Sequence, residues 1–178
     1  MAVELVFETH CTSMDNEAGR ATGWQPGELS EKGRIQAHQL GVRRRDDQIS
    51  AVFSSDLARA AQTAQTAFAG TPIPVLLDWR LRECDYGERN GMPITELRAS
   101  RRKHLDRPYP GGESWRAAVA RVGRCLDDLP IRWNGQRVLV IGHRATHWAL
   151  EHLLRDVPLE ELSVLDLAWQ PGWEYLIK

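Results

Sequence analysis

Val138-Leu139-Val140-Ile141 is an unbroken apolar run closed by Gly142-His143. A strand with one wet face alternates apolar and polar residues; one that does not alternate is covered on both faces, as in parallel sheets sandwiched between helices. The rest of the chain supplies the other parts of such a sheet. Val3–Phe7, Ala51–Phe53 and Ile73–Leu77 are further short apolar runs. Between them lie helical patterns. Ser30 is an N-cap residue type ahead of a helix running to about Arg44. Leu57, Ala60, Ala61, Ala64 and Ala67 recur at helical spacing within Asp56–Phe68, as do Trp115, Ala118, Val119, Val122, Leu126 and Leu129 within Glu113–Leu129. Ala145–Leu154 completes the set, and Leu165–Trp169 with Trp173–Ile177 is expected to form a closing hairpin. Strand–helix alternation predicts an α/β fold, a three-layer sandwich with a mostly parallel sheet and helices on both faces. At 178 residues the chain is expected to be a single domain over 1–178.

Composition excludes several classes of function. With 23 Lys+Arg against 24 Asp+Glu the net charge is -1, so there is no electrostatic footprint for nucleic acid or an anionic membrane. No apolar stretch reaches transmembrane length. The N-terminus carries acids rather than a basic start, so no secretory signal is expected. The three cysteines, odd in number and scattered, suit reduced thiols, and a cytoplasmic location is expected.

Open α/β sheets build their sites at the C-terminal ends of strands. Past the first run comes His10; past the second, Ser54-Ser55-Asp56 and then Arg59; past the third, Arg80-Leu81-Arg82-Glu83; past Val138–Ile141, His143 and Arg144. Two histidines, an arginine and a carboxylate are thus expected on one rim. Phosphoryl transfer to nitrogen needs this set: a neutral imidazole to attack phosphorus, cations for the equatorial oxygens, and a carboxyl group to protonate the leaving oxygen.

Each residue also has a plainer reading. Glu83, among Arg80, Arg82 and Asp85, suits a surface ion-pair cluster. Arg43–Asp47 and Arg101–His104 read as solvated helix ends, and Trp148, Trp169 and Trp173 as core and sheet cover. A cysteine-phosphatase loop at Cys11 would need arginine six positions on, where Glu17 stands. His143 and His147 have metal-ligand spacing, but the intervening residues lack the glutamate of the zinc-protease motif and include Arg144. No metal or cofactor is expected.

The order of motifs resembles the histidine phosphatase (phosphoglycerate mutase-like) superfamily. The resemblance rests on Thr9-His10-Cys11-Thr12-Ser13 with Asn16, Arg20, Thr22-Gly23-Trp24 and Leu29–Gly33, then Ser54–Ala60, Arg80–Gly87, Gly111–Ser114 and Val140–His143. It implies a phosphoglycerate mutase-like fold and a metal-independent phosphatase acting through phospho-His10 on a small phosphorylated substrate. Arg59 and His143 would bind the phosphoryl group, and Glu83 would be general acid, then base. Thr9, Asn16, Arg20 and Arg144 would line the phosphate and substrate side. The connection between Tyr86 and Trp115, with a small cap around 88–114, favours a phosphatase over a mutase. A non-catalytic binder of a phosphorylated ligand is the alternative from another class. Neither substrate identity nor oligomeric state is encoded in these motifs.

The chain departs from the family at its first motif, with Thr9-His10-Cys11 where Arg-His-Gly is usual. A lost charge-assisted hydrogen bond costs on the order of 1.5–3 kcal/mol. If it acts in the transition state, the loss is roughly 10²–10³ in rate. Arg144, where glycine is common, is the expected substitute. Glu8, where an apolar residue is usual, is its competing partner. Cys11 is expected either to narrow the pocket or to shift the turn.

Overall fold

A computed structural model describes residues 2–178. Strand β1 (Val3–Thr9) is followed by helix α1 (Met14–Glu17), β2 (Arg20–Ala21), α2 (Glu31–Arg44), β3 (Ile49–Ser54), α3 (Ala58–Ala67) and β4 (Val75–Leu77). Then come β5 (Met92–Pro93), α4 (Ile94–Ser100), α5 (Trp115–Trp133), β6 (Arg137–Gly142), α6 (Arg144–Arg155), α7 (Leu159–Val164) and β7 (Trp173–Ile177). Five strands form one sheet in the order β4-β3-β6-β1-β7, parallel except for β7. β2 and β5 form a separate antiparallel pair.

The apolar run at β6 is central and covered on both faces. Val138 and Val140 join Leu5, Phe7 and the inner faces of α5 and α6 on one side. Leu139 and Ile141 join Val6, Val52, Leu40 of α2 and Ala60 and Ala64 of α3 on the other. The period-two alternation of the pleat divides these residues between two cores, which is the three-layer arrangement read from the sequence.

Three expectations are corrected. No hairpin forms: Leu165–Trp169 is irregular, and β7 pairs antiparallel with β1, Trp173 opposite Phe7. That pairing satisfies the outer edge of β1 and buries Trp173, Tyr175 and Ile177, while Trp169 stays 69% exposed rather than covering the sheet. Helix α5 continues through Pro130 to Trp133, because a proline one turn from the end removes a single hydrogen bond. The two basic runs are not wholly solvated. Arg44 is buried against Glu8, and Arg101 and His104 are buried within the 88–114 segment, His104 stacked on Tyr109.

Candidate active site

Parallel β1, β3 and β6 end together, and backbone bonds from His10 N to Gly142 O (2.9 Å) and Ser55 N to Ile141 O (3.1 Å) stitch their ends. His10 therefore leaves β1 beside His143 leaving β6, with ring centroids 5.0 Å apart. Gly142 permits this turn. A Cβ there would strike the Thr146 side chain, whose hydroxyl accepts from His143 N (3.2 Å) and donates to Leu81 O (3.2 Å).

The ring contacts assign the imidazole tautomers. His10 Nδ1 lies 2.7 Å from the Cys11 carbonyl, which can only accept, so Nδ1 carries the hydrogen and Nε2 keeps its lone pair. Arg59 Nη2 faces His143 Nδ1 at 3.4 Å; a guanidinium only donates, which leaves the His143 hydrogen on Nε2. Burial lowers the His10 pKa to about 3, with the Arg59 charge adding to the effect. His143 is held well below its usual value by burial, then by Arg59 and His10. Both rings are neutral at physiological pH.

Arg59 is buried, at the start of α3. Its Nη2 donates to the Gly23 carbonyl (2.9 Å), while its Nη1 and His143 Nε2 have no partner among the described residues. Unpaired buried donors are costly and ask for an acceptor. Glu83 is not in an ion-pair cluster, since Arg82 pairs with Asp56 and Arg80 with Asp78 and Asp128. Its carboxylate instead caps the N-terminus of α6. Oε1 accepts from Cys84 N (2.9 Å) and Ala145 N (3.0 Å), and Oε2 from Arg144 N (3.3 Å).

All eight candidates (Thr9, His10, Asn16, Arg20, Arg59, Glu83, His143 and Arg144) line one cleft of about 220 Å³. Asn16 reciprocally caps α1 with Ser13, and the exposed Arg20 reaches the Gly91 carbonyl. Three guanidinium groups face a single carboxylate, with the imidazoles neutral, so the cleft is cationic and suits a dianion. Arg144 is half-buried, and its guanidinium has no hydrogen bond or ion pair among the described residues. Glu8 pairs with Arg43 and Arg44 instead, a correction to the competing partnership with Arg144.

Cys11 neither narrows the cleft nor strains the turn. Its side chain packs with Leu29 and Ala37, its N–H reaches the Thr63 hydroxyl, and its φ is not positive. Burial raises its thiol pKa to about 11, leaving it protonated at neutral pH. His147 lies outside this cleft, against Phe7 and Trp173. Among the described residues no cluster of His, Cys, Asp or Glu is arranged to hold a metal ion, and no helix is long and apolar enough to cross a membrane.

Sequence reasoning missed Tyr86, which lines the cleft, and Arg121, which supports it from behind. Arg121 donates to the carbonyls of Arg80, Arg82 and Glu83 and pairs with Glu113. Its signal was available: position 121 falls within the apolar stripe of α5, where a charge needs partners.

A family model described as the histidine phosphatase superfamily (branch 1) matches residues 5–170. The chain belongs to the histidine phosphatase superfamily. Within the superfamily it is 34% identical to a 2,3-bisphosphoglycerate-dependent phosphoglycerate mutase of Methylobacterium sp. strain 4-46, over 92% of this chain and 86% of the relative. The solved structure of YhfR from Bacillus stearothermophilus superposes with a TM-score of 0.84 at 28% identity, covering 96% of this chain and 88% of that one. A mycobacterial glucosyl-3-phosphoglycerate phosphatase in complex with VO3 superposes with a TM-score of 0.82 at 28% identity, covering 92% and 87%. A phosphatase of known structure thus shares the fold described here, and phosphoglycerate mutases are among the sequence relatives.

Proposed function

We propose that this protein is a metal-independent phosphomonoesterase that transfers the phosphoryl group of a small metabolite to His10 and then to water. The observation that carries the reading is the pairing at the end of β1 and β6: a neutral His10 with Nδ1 tied and Nε2 free, facing a His143 N–H and an Arg59 N–H that lack partners. In the first step the Nε2 lone pair attacks phosphorus, the P–O bond breaks, and a proton brought in on the substrate phosphate passes through Glu83 to the leaving oxygen. In the second, water attacks phosphorus and passes a proton to Glu83, and the P–N bond breaks with its electron pair returning to Nε2. Arg59, His143 Nε2–H and Arg144 stabilise the charge on the equatorial oxygens. Arg144 takes over the charge that a family arginine supplies at position 9. Asn16, Arg20 and Thr9 face the substrate.

The reading includes one domain over 1–178, with 88–114 as a cap, acting in the cytoplasm. Phosphatase is preferred to mutase because that cap is short, so water reaches the phosphoenzyme. The likeness to phosphoglycerate mutases supports the second reading, in which the phosphohistidine outlives product release and returns its phosphate to substrate.

The test is turnover of p-nitrophenyl phosphate in EDTA, wild type against His10→Ala. Hydrolysis by wild type alone is expected. Equal, negligible rates with retained phosphate binding favour a non-catalytic binder, and a rate restored only by added metal overturns the metal-independent mechanism.

A further inference from the structure

Three hollows meet along the segment between α7 and β7. Leu167 lines both the histidine cleft and an adjoining groove of about 650 Å³, and Arg144 lines both as well. Trp169 lines a third recess, on another side of His10. One wall of the cleft, at Leu167, is therefore irregular chain with no ladder of its own. Inside it, Gly172 N donates to Gln170 O and Gln170 Nε2 to Gly172 O, both at 2.8 Å, which shapes the turn but does not tie the segment to the sheet.

The fixing contacts converge on Glu8. Its carboxylate is buried at the end of β1 and accepts from Arg43 Nη2 (3.0 and 3.1 Å) and from Arg44 Nε (2.9 Å) and Nη2 (2.8 Å). The same Arg44 Nη2 donates to the Pro171 carbonyl at 3.0 Å, and Nη1 is held by Asp47. Gly172, at φ +90°, packs onto this guanidinium so closely that a Cβ would run into it. A buried ion pair is weak evidence for net stability, because desolvation offsets much of the attraction. A planar, multiply bonded guanidinium does fix geometry. At the other end Asp166 meets Arg98 and Arg101 at 3.3 and 3.6 Å, but Asp166 is exposed and such a contact is weak. Leu167 itself packs against the main core, and of the polar contacts Arg44 is the firm anchor.

We infer that Glu8 and Arg44 are positioning residues, which hold segment 165–172 so that Leu167 closes the cleft and shapes the path of the leaving group. The inference rests on the phosphatase reading of that cleft. Neither residue reaches the reacting atoms. Loosening the tether therefore weakens substrate retention and leaves the phosphoryl chemistry in place.

The experiment compares wild type, Arg44→Gln and Gly172→Ala. The second variant displaces the segment while keeping every buried charge paired. Chymotrypsin cleavage after Leu167 and Trp169 reports opening of the segment, and p-nitrophenyl phosphate kinetics report its effect on the site. Cleavage is expected to rise about tenfold in both variants, and KM about fivefold with kcat within about twofold. Leu167→Ala added to Gly172→Ala is expected to raise KM no further. Cleavage at the wild-type rate in both variants overturns the inference. So does faster cleavage with unchanged KM and unchanged orthovanadate affinity. If no form of the protein hydrolyses phosphomonoesters, the phosphatase reading fails, and cleavage rates together with orthovanadate binding still decide the tether.

Discussion

His10 and His143 face each other across the ends of β1 and β6, 5.0 Å between ring centroids, and offer opposite things to a ligand: a lone pair on His10 Nε2, a hydrogen on His143 Nε2. The asymmetry comes from their neighbours. One ring donates to a carbonyl, and the other accepts from a guanidinium. A phosphoryl group placed between them meets a nucleophile on one side and a donor on the other.

Burial, then Arg59, lowers the His10 pKa to about 3, so the imidazole stays neutral as pH falls through 6.5 and protonates only near 3. An NMR titration of the His10 Cε1 proton in the ligand-free protein is expected to be flat between pH 8 and 5. A midpoint near 6.5 contradicts the assigned environment.

Arg144, whose guanidinium has no partner among the described residues, is proposed to serve where Thr9 stands. Arg144→Ala is expected to lower kcat by roughly 10²- to 10³-fold on an aryl phosphate, the range seen when a transition-state donor is removed. Full turnover in that variant would falsify the substitution of one arginine for the other.

Arg121 acts at one remove, holding the carbonyls of Arg80, Arg82 and Glu83. Arg121→Met takes the side-chain donor from the Arg80 and Arg82 carbonyls and one donor each from the Glu83 carbonyl and Glu113, which keep Trp24 Nε1 and Asp85 N. It is expected to cost about 2–4 kcal/mol in urea unfolding, in the range for breaking a buried pair. It is also expected to lower kcat more than it raises KM, since Glu83 is displaced rather than lost. Unchanged stability would show that the network carries no energy.

His147 is neutral in the folded protein, its pKa lowered to about 4 by burial, and has an unfolded value near 6.5. The unfolded chain therefore binds more protons between those values, and stability falls as pH drops below 6.5. At pH 5 the loss from this one group is about 2 kcal/mol. Urea midpoints measured at pH 7 and pH 5 are expected to differ less in His147→Gln than in wild type. Equal differences would mean that the ring is not desolvated.

The sheet was legible because β6 is apolar without alternation, and period-two patterns in β1 then assign residues to two cores. The candidate site was legible because parallel strands end together, so residues distant in sequence share a rim. What escaped depended on partners that spacing does not encode. Arg44 and Arg101 read as solvated because basic runs usually are, yet Arg44 is buried against Glu8 and Arg101 is buried within its own segment. The 165–169 run has the composition of a strand, but β1 offered one free edge and β7 took it. Glu83 sat among arginines in sequence, while the N-terminus of α6 captured its carboxylate.

The central claim is a phosphorus–nitrogen bond at His10. Quenching the protein in alkali during turnover of a phosphomonoester and mapping the modified peptide by mass spectrometry tests it directly. A single phosphoryl group on the peptide containing His10, labile to acid and absent from His10→Ala, is the predicted result. Turnover with no phosphopeptide, or with the phosphoryl group on another residue, would contradict it.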